Sequence, residues 1–357
     1  MAKLDSFFQQ MLTGGASDLH LSVGSKPQIR KHGELAELDF QVLSNNILKD
    51  LLFELLSEPQ KNKFMEKRDL DFAYEIPGLA RFRANYFVQK RGLAAVFRVI
   101  PGEILSAEAL GLPPQVLKFA ELNRGLVVVT GATGSGKSTT LAAIIDFINK
   151  NRRDHILTVE DPIEFVHQNK GCLINQREVG GHTESFASAL KGALRQDPDV
   201  ILLGEMRDLE TIELAITAAE TGHLVFGTLH TNSAPKTVDR IIDVFPEGRQ
   251  SQIRTMLSES LKGVVAQQLL KRSDKPGRVA ALEILIVNSA ISNLIREGKT
   301  FQIPSIMQVG KSQGMQMMDQ SIMDLVMQKI VSPEEAHSKA ADKKAFERFL
   351  PPTAKSP

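Results

Sequence analysis

The sequence is poor in cysteine, in net charge and in long apolar runs. Cys172 is the single cysteine among 357 residues. That excludes an intramolecular disulfide and any cysteine-rich zinc module, and the residue reads as a small core side chain. Lys and Arg total 43 against 42 Asp and Glu, for a net charge of +1. No broad basic surface follows, which argues against a nucleic-acid partner and leaves room only for a local basic stripe. No uncharged apolar stretch is long enough to span a bilayer. The opening Met1-Ala-Lys-Leu-Asp-Ser-Phe-Phe lacks the apolar core of a signal peptide. A cytoplasmic protein is expected, with docking on a membrane protein still open. No internal repeat or low-complexity tract is evident.

Length predicts about two domains. Residues 1–100 read as a small α+β domain. Asp18–Val23 alternates like a half-buried strand, and Val42–Leu56 has helical spacing through Leu48, Leu51, Leu52 and Leu55. Strand-like runs at Leu70–Ile76, Ala80–Gln89 and Leu93–Ile100 form an expected meander, with turns at Pro77-Gly78 and Arg91-Gly92. Residues 101–115 read as a linker opened by Pro101-Gly102. Residues 116–350 read as an α/β domain whose buried β runs alternate with helices, giving a mainly parallel sheet. Past Pro246 the pattern reads as mostly helical, through Ser251–Lys271, Ala290–Glu297 and Gln320–Lys329, with a strand at Val279–Val287. Residues 351–357 read as a frayed tail.

Chemistry concentrates in the second domain. Leu126–Thr130 is a buried strand, followed by Gly131-Ala-Thr133-Gly134-Ser135-Gly136-Lys137-Ser138-Thr139 and a helix start. Gly131, Gly136, Lys137 and Ser138 fit the phosphate-loop pattern G-x-x-x-x-G-K-[ST] in its strand–loop–helix context. Glycines let backbone N–H groups curl around phosphate oxygens, and the helix N-terminus adds positive potential. Lys137 is placed to neutralise β- and γ-phosphates, and the Ser138 hydroxyl to ligate Mg²⁺. A nucleoside triphosphate is the expected ligand.

Three further strands end in polar groups. Asp199–Leu203 runs into Gly204-Glu205, where a Walker B carboxylate belongs. Glu205 carries that role alone, holding Mg²⁺ through water or polarising the attacking water. Ile156–Val159 runs into Glu160-Asp-Pro-Ile-Glu164, whose Glu160 or Glu164 could position water or Mg²⁺. Leu224–Leu229 runs into His230, which reads either as a structural strand-end histidine or as a group that could bond the γ-phosphate or link it to neighbouring elements. In the first domain, Arg81 and Arg83 share one strand face and Arg98 lies in the next strand. Taken alone, those arginines read as a solvated sheet face.

Together these motifs resemble the secretion ATPase superfamily of type II and type IV secretion and type IV pili. Its Walker A, Asp box, Walker B and His box all occur in family order. Gly15-Ala-Ser-Asp18-Leu-His20-Leu and Arg81-Phe-Arg83-Ala-Asn-Tyr-Phe resemble the pilus retraction branch, and the similarity runs from about residue 3 to 349. The short chain and lone cysteine point the same way, since assembly and secretion members usually carry a long N-terminal region and often a four-cysteine zinc module. One departure is Ser292 in Ala290-Ile-Ser292-Asn-Leu-Ile-Arg296-Glu297, where the branch commonly has arginine. No role of that arginine carries over.

The resemblance implies a homohexamer of subunits with a PAS-like N-terminal domain and a RecA-like ATPase core, binding ATP and Mg²⁺ between the domains. It gives Arg83, Arg98 and Arg81 a role on ATP, reversing the solvated reading. It gives His230 the task of coupling the γ-phosphate to the ring. It leaves open whether Glu205 or Glu164 orients the water. It implies ATP-driven pilus retraction from the cytoplasmic side of the inner membrane, at the pilus base. The implied partners are a PilC-like platform protein and a PilU-like paralogue. The rival readings are a PilU-type paralogue, an assembly or secretion ATPase, a RecA-like nucleic-acid motor, and a nucleotide-binding regulator with little turnover.

Overall fold

Period-two burial builds the first sheet. In Ala80–Gln89, Phe82, Ala84 and Tyr86 are buried, whereas Arg83 is exposed and Arg81 half-buried. The structure, a computed structural model, describes residues 3–31, 33–100 and 102–350. Pro101 of the expected linker and the expected tail 351–357 lie outside the described residues. The chain divides into two units, Met1–Glu103 with Pro162–Val166, and Ile104–Asp161 with His167–Pro357.

Among the described residues of the first unit, six strands form one antiparallel sheet. They are β1 (Asp18–Ser22), β2 (Gln28–Lys31), β3 (Glu34–Glu37), β4 (Asp69–Ile76), β5 (Ala80–Gln89) and β6 (Gly92–Ile100), in the order β3-β2-β1-β6-β5-β4. The expected meander is β4-β5-β6. Strands β2 and β3 escaped the sequence reading because they are four residues each, and every residue of β3 is exposed. Helices Asp5–Thr13, Asn45–Phe53 and Glu58–Lys67 supply apolar side chains to the core. Phe8 stacks on Phe82 at 4.3 Å between centroids, and Tyr86 meets Phe72 edge-on at 5.1 Å. The buried Tyr86 hydroxyl donates to Leu52 O at 3.2 Å, so its polar end is satisfied.

The second unit is a layered α/β domain. Its strands are β7 (Gly125–Thr130), β8 (His155–Glu160), β9 (Leu173–Glu178), β10 (Val200–Leu203), β11 (Leu224–Leu229), β12 (Leu261–Lys271) and β13 (Arg278–Ile286). Their order is β13-β12-β7-β11-β10-β8-β9. Every pairing is parallel except β12 with β13. Both faces of this sheet are covered. Leu126 and Val128 of β7 join a core with Leu157, Ile201 and Val225, whereas Val127 and Val129 join the opposite core with Ile156, Leu202 and Phe226. Each such side chain contributes about 1.5–3 kcal/mol relative to exposure. Within the expected linker, Ala107 and Leu112 are buried against Val116 and Phe119.

The expected helix over Ser251–Lys271 is corrected. The helix is Glu247–Ser260, and Leu261–Lys271 is β12, a strand between β7 and β13. Leu261 and Val264 fall in the core on one face and Val265 in that on the other, so the run carries no alternation to mark a strand. Parallel register aligns Val128, Gly227, Leu203 and Val159 across β7, β11, β10 and β8. The loops leaving these four strands therefore share one rim, where open α/β sheets place their ligands.

Candidate active site

The loop after β7 owes its shape to glycines in close quarters. Gly131 has φ +148° and Gly136 φ +90°, in backbone regions that L side chains rarely adopt. A Cβ at Gly131 would lie 2.3 Å from Gln267 O, and one at Gly136 would lie 2.7 Å from Gln267 Nε2. Thr133 and Gly134 form the exposed outer turn. The helix Lys137–Asn151 begins directly after the loop, with Ser138 exposed and Thr139 half-buried in its first turn. Lys137 Nζ donates to Gly131 O at 2.9 Å and Ala132 O at 3.2 Å, so its ammonium lies over the loop. The Ser135 hydroxyl is buried inside the loop and has no hydrogen-bond partner among the described residues. A glycine cradle, an ammonium and an unsatisfied hydroxyl fit a polyphosphate.

Glu205 follows β10 and is mostly buried. Its Oε1 accepts from Arg207 Nε at 2.7 Å and lies 2.9 Å from His230 Nε2. Burial pushes the carboxyl up, but the hydrogen bonds and charges of Arg207 and His230 outweigh it and hold Glu205 below its ordinary pKa. The group stays ionised. Asp208 accepts from Thr211 N at 2.8 Å and caps helix Leu209–Glu220, which ends the Glu205 loop at a defined place. Arg207 lies two residues past Glu205 in the same run, and nothing in the strand-end pattern marks it as a partner of that carboxylate.

His230 is placed by hydroxyls. Thr130 Oγ1, at the end of β7, donates to Thr231 O at 2.7 Å and accepts from Thr231 N at 2.9 Å. Thr231 Oγ1 lies 2.6 Å from Thr237 Oγ1 of helix Ala234–Asp243. Thr228 Oγ1 donates to Gly204 O at 2.5 Å, tying β11 to the Glu205 loop.

Glu160 ends β8 on the same rim, whereas Glu164 and the three arginines belong to the first unit. Glu160 Oε1 accepts from Thr158 Oγ1 at 2.6 Å and Gln176 Nε2 at 3.1 Å, at the end of β8. Glu164 is half-buried and belongs to the first unit through Pro162–Val166. Arg81, Arg83 and Arg98 lie in that unit's sheet. Arg83 and Arg98 are register neighbours on β5 and β6. Arg83 Nη2 pairs with Asp71 Oδ2 at 2.5 Å, and Arg98 Nε pairs with the buried Asp18 Oδ1 at 2.7 Å.

Among the described residues, no cluster of three or more His, Cys, Asp or Glu side chains is arranged to hold a metal. One hydroxyl and one carboxylate, Ser138 and Glu205, are oxygen donors of the kind Mg²⁺ takes while keeping water and phosphate oxygens in its remaining positions. The donor set fits that ion in chemistry.

Known proteins resemble this chain over most of its length. The sequence matches the family described as Type II/IV secretion system protein over residues 2–338. The chain belongs to that family. Within the family it is 53% identical over 326 residues to the type IV pilus retraction ATPase PilT of Pseudomonas aeruginosa, covering 91% of this chain and 94% of that one. It is 55% identical over 320 residues to a twitching motility protein of Neisseria gonorrhoeae, covering 90% and 86%. The type IV pilus ATPase PilU of Pseudomonas aeruginosa is more distant, at 40% identity. A crystal structure of the pilus retraction motor PilT with bound ADP superimposes with a TM-score of 0.89 at 46% identity, covering 98% of this chain and 99% of that one. The expected α/β secretion ATPase fold is thereby borne out. Among the described residues, no helix is long and apolar enough to cross a membrane.

Proposed function

We infer that this chain is an ATPase that powers type IV pilus retraction. One observation carries the reading. A phosphate loop and an ionised strand-end carboxylate stand on one sheet rim, in a chain that matches retraction ATPases over nine-tenths of its length. The loop N–H groups of Gly131–Thr139 and Lys137 bind the phosphates. Ser138 and Glu205 would hold Mg²⁺, directly or through water, and the ion would supply charge neutralisation for the phosphates. Glu205, already ionised, accepts a proton from the attacking water or fixes its direction; Glu164 is the alternative for that task. His230, sharing an oxygen of Glu205, transmits whether the γ-phosphate is present. Arg81, Arg83 and Arg98 stabilise charge developing on the transferred group.

Contacts to the γ-phosphate exist only before hydrolysis, so each turnover supplies a difference in binding energy between two arrangements of the protein. We propose that six copies form a ring in which this difference is converted into motion. Its working partners are an inner-membrane platform protein of the PilC type and a PilU-like paralogue. Its place is the cytoplasmic face of the inner membrane at the pilus base.

The test is steady-state ATPase activity of the purified protein and its Glu205→Ala variant, with mass measured by light scattering. A hexamer-sized particle whose Mg²⁺-dependent turnover vanishes in the variant is expected. A monomer without turnover contradicts the motor. A piliated host carrying Lys137→Ala is expected to keep excess surface pili and lose twitching; absence of pili would assign the chain to assembly instead.

A further inference from the structure

Strand β12 outruns its neighbour at the nucleotide loop. Its pairing with β7 ends at Ala266↔Thr130, and the next residue is Gln267, only 4% exposed. The Gln267 amide reaches into the loop that leaves β7. Its Nε2 donates to Ser135 O at 2.7 Å, and its Oε1 accepts from Thr140 Oγ1 at 2.8 Å. Both ends of the amide are satisfied, which sets its orientation: a carbonyl oxygen can face only the NH₂ end. A polar side chain buried at such a position is costly unless its bonds are made.

We propose that Gln267 is a positioning residue for phosphate binding, orienting the Ser135–Gly136 peptide so that its N–H faces the nucleotide. The physical reason is the trans peptide. The Ser135 carbonyl and the Gly136 N–H point in opposite directions. Anchoring the carbonyl on Gln267 turns the N–H away from β12 and keeps an oxygen of the wrong sign off the phosphates. Thr140, one turn into the helix Lys137–Asn151, fixes the other end of the amide, so the loop and helix N-terminus are held as one piece. Neither the phosphate-loop pattern nor the strand-end acids include this residue. The inference rests on the nucleotide-binding reading above, with Gln267 acting on ground-state affinity for ATP and ADP alike.

The test compares wild type with Gln267→Met, Gln267→Glu and Thr140→Val. It reads Kd for ATP and ADP, KM and kcat, and hydrogen exchange of the 131–139 amides in the unliganded protein. Gln267→Met removes both bonds. Gln267→Glu keeps the acceptor and the shape and, measured at a pH where the carboxyl is ionised, has no donor for Ser135. Thr140→Val removes only the second bond. Both Gln267 variants are expected to weaken ATP and ADP binding about tenfold, raise KM in parallel, leave kcat within about threefold, and speed exchange in the loop. Thr140→Val is expected to show a smaller effect on each. Nucleotide affinities within about twofold of wild type in a folded Gln267 variant overturn the proposal. So does a fall in kcat at unchanged KM, or a larger loss in Thr140→Val. Should Gln267→Met fail to fold, the isosteric Gln267→Glu decides alone. If wild type binds neither nucleotide, the functional reading falls; loop exchange in the unliganded variants still judges the brace.

Discussion

His230 Nε2 stands 2.9 Å from Glu205 Oε1, and Arg207 Nε stands 2.7 Å from the same oxygen. The ends of β10 and β11 are thus joined through a single carboxylate oxygen. The roles proposed for His230 and Glu205, sensing the γ-phosphate and activating water, would be coupled through that shared atom.

Coupling of this kind is measurable. Glu205→Gln is expected to lower kcat by about a hundredfold or more, the scale of a lost general base. His230→Ala is expected to lower it less. The double variant should cost less than the sum of the singles, because Glu205→Gln already removes the charge from the shared contact and His230→Ala removes the contact itself. Strict additivity in a double-mutant cycle on kcat would show that the contact is idle.

The pH dependence is expected to respond to Arg207. Its hydrogen bond and charge favour ionised Glu205, whose pKa is lowered despite burial. Activity that needs the carboxylate is therefore retained on acidification and lost only as pH falls through the lowered value. Arg207→Ala removes that support, so the acidic limb of the kcat profile should move to higher pH. An unmoved limb would mean that a different group limits the acid side.

Lys137 is the charge that reaches the loop. Lys137→Ala is expected to weaken ATP binding by about tenfold to a hundredfold, the scale of a charge-assisted hydrogen bond. Equilibrium binding of a fluorescent ATP analogue checks it. The fold should persist, because the ammonium's bonds to Gly131 and Ala132 lie at a half-buried site.

Glu283 offers a stability test away from the nucleotide. This carboxyl on β13 is 5% exposed and accepts from Ala234 N at 2.7 Å, at the start of the helix that follows the His230 loop. Burial raises its pKa, and the N–H groups of Ala234 and Met318 only partly offset that. Between the ordinary carboxylate value and the raised one, the folded protein binds more protons than the unfolded chain. Stability conferred by this group is therefore full at low pH and falls as pH rises through that window. Glu283→Gln should flatten the fall, whereas Glu283→Ala should cost about 1–3 kcal/mol by leaving backbone donors unpaired. Urea melts at about pH 5 and about pH 8 separate the two.

Legibility followed the range of the interaction. The nucleotide loop was readable because Gly131–Thr139 carries strand, loop and helix start in one contiguous segment. The strands that deliver Glu205 and His230 were readable because each ends an apolar run abruptly. Strand β12 was not: a run buried on both faces loses the alternation that marks a strand, and an apolar stretch after a helix reads as more helix. Gln267 was hidden with it, since a glutamine in an apolar run shows nothing of a loop 132 residues earlier. The only local hint was its polarity between Ala266 and Leu269.

The sequence by itself determined that a phosphate loop forms, that acids and a histidine close the following strands, and that a mainly parallel sheet carries them. Those properties rest on short-range patterns of backbone freedom, burial and chain order. Only the tertiary structure decided that Glu205, Arg207 and His230 share one oxygen, that Thr130 holds the His230 loop, and that Gln267 braces the phosphate loop. Parallel strands bring residues a hundred positions apart onto one rim. Which side chains then meet depends on register and burial at that rim, and neither is encoded in any one segment.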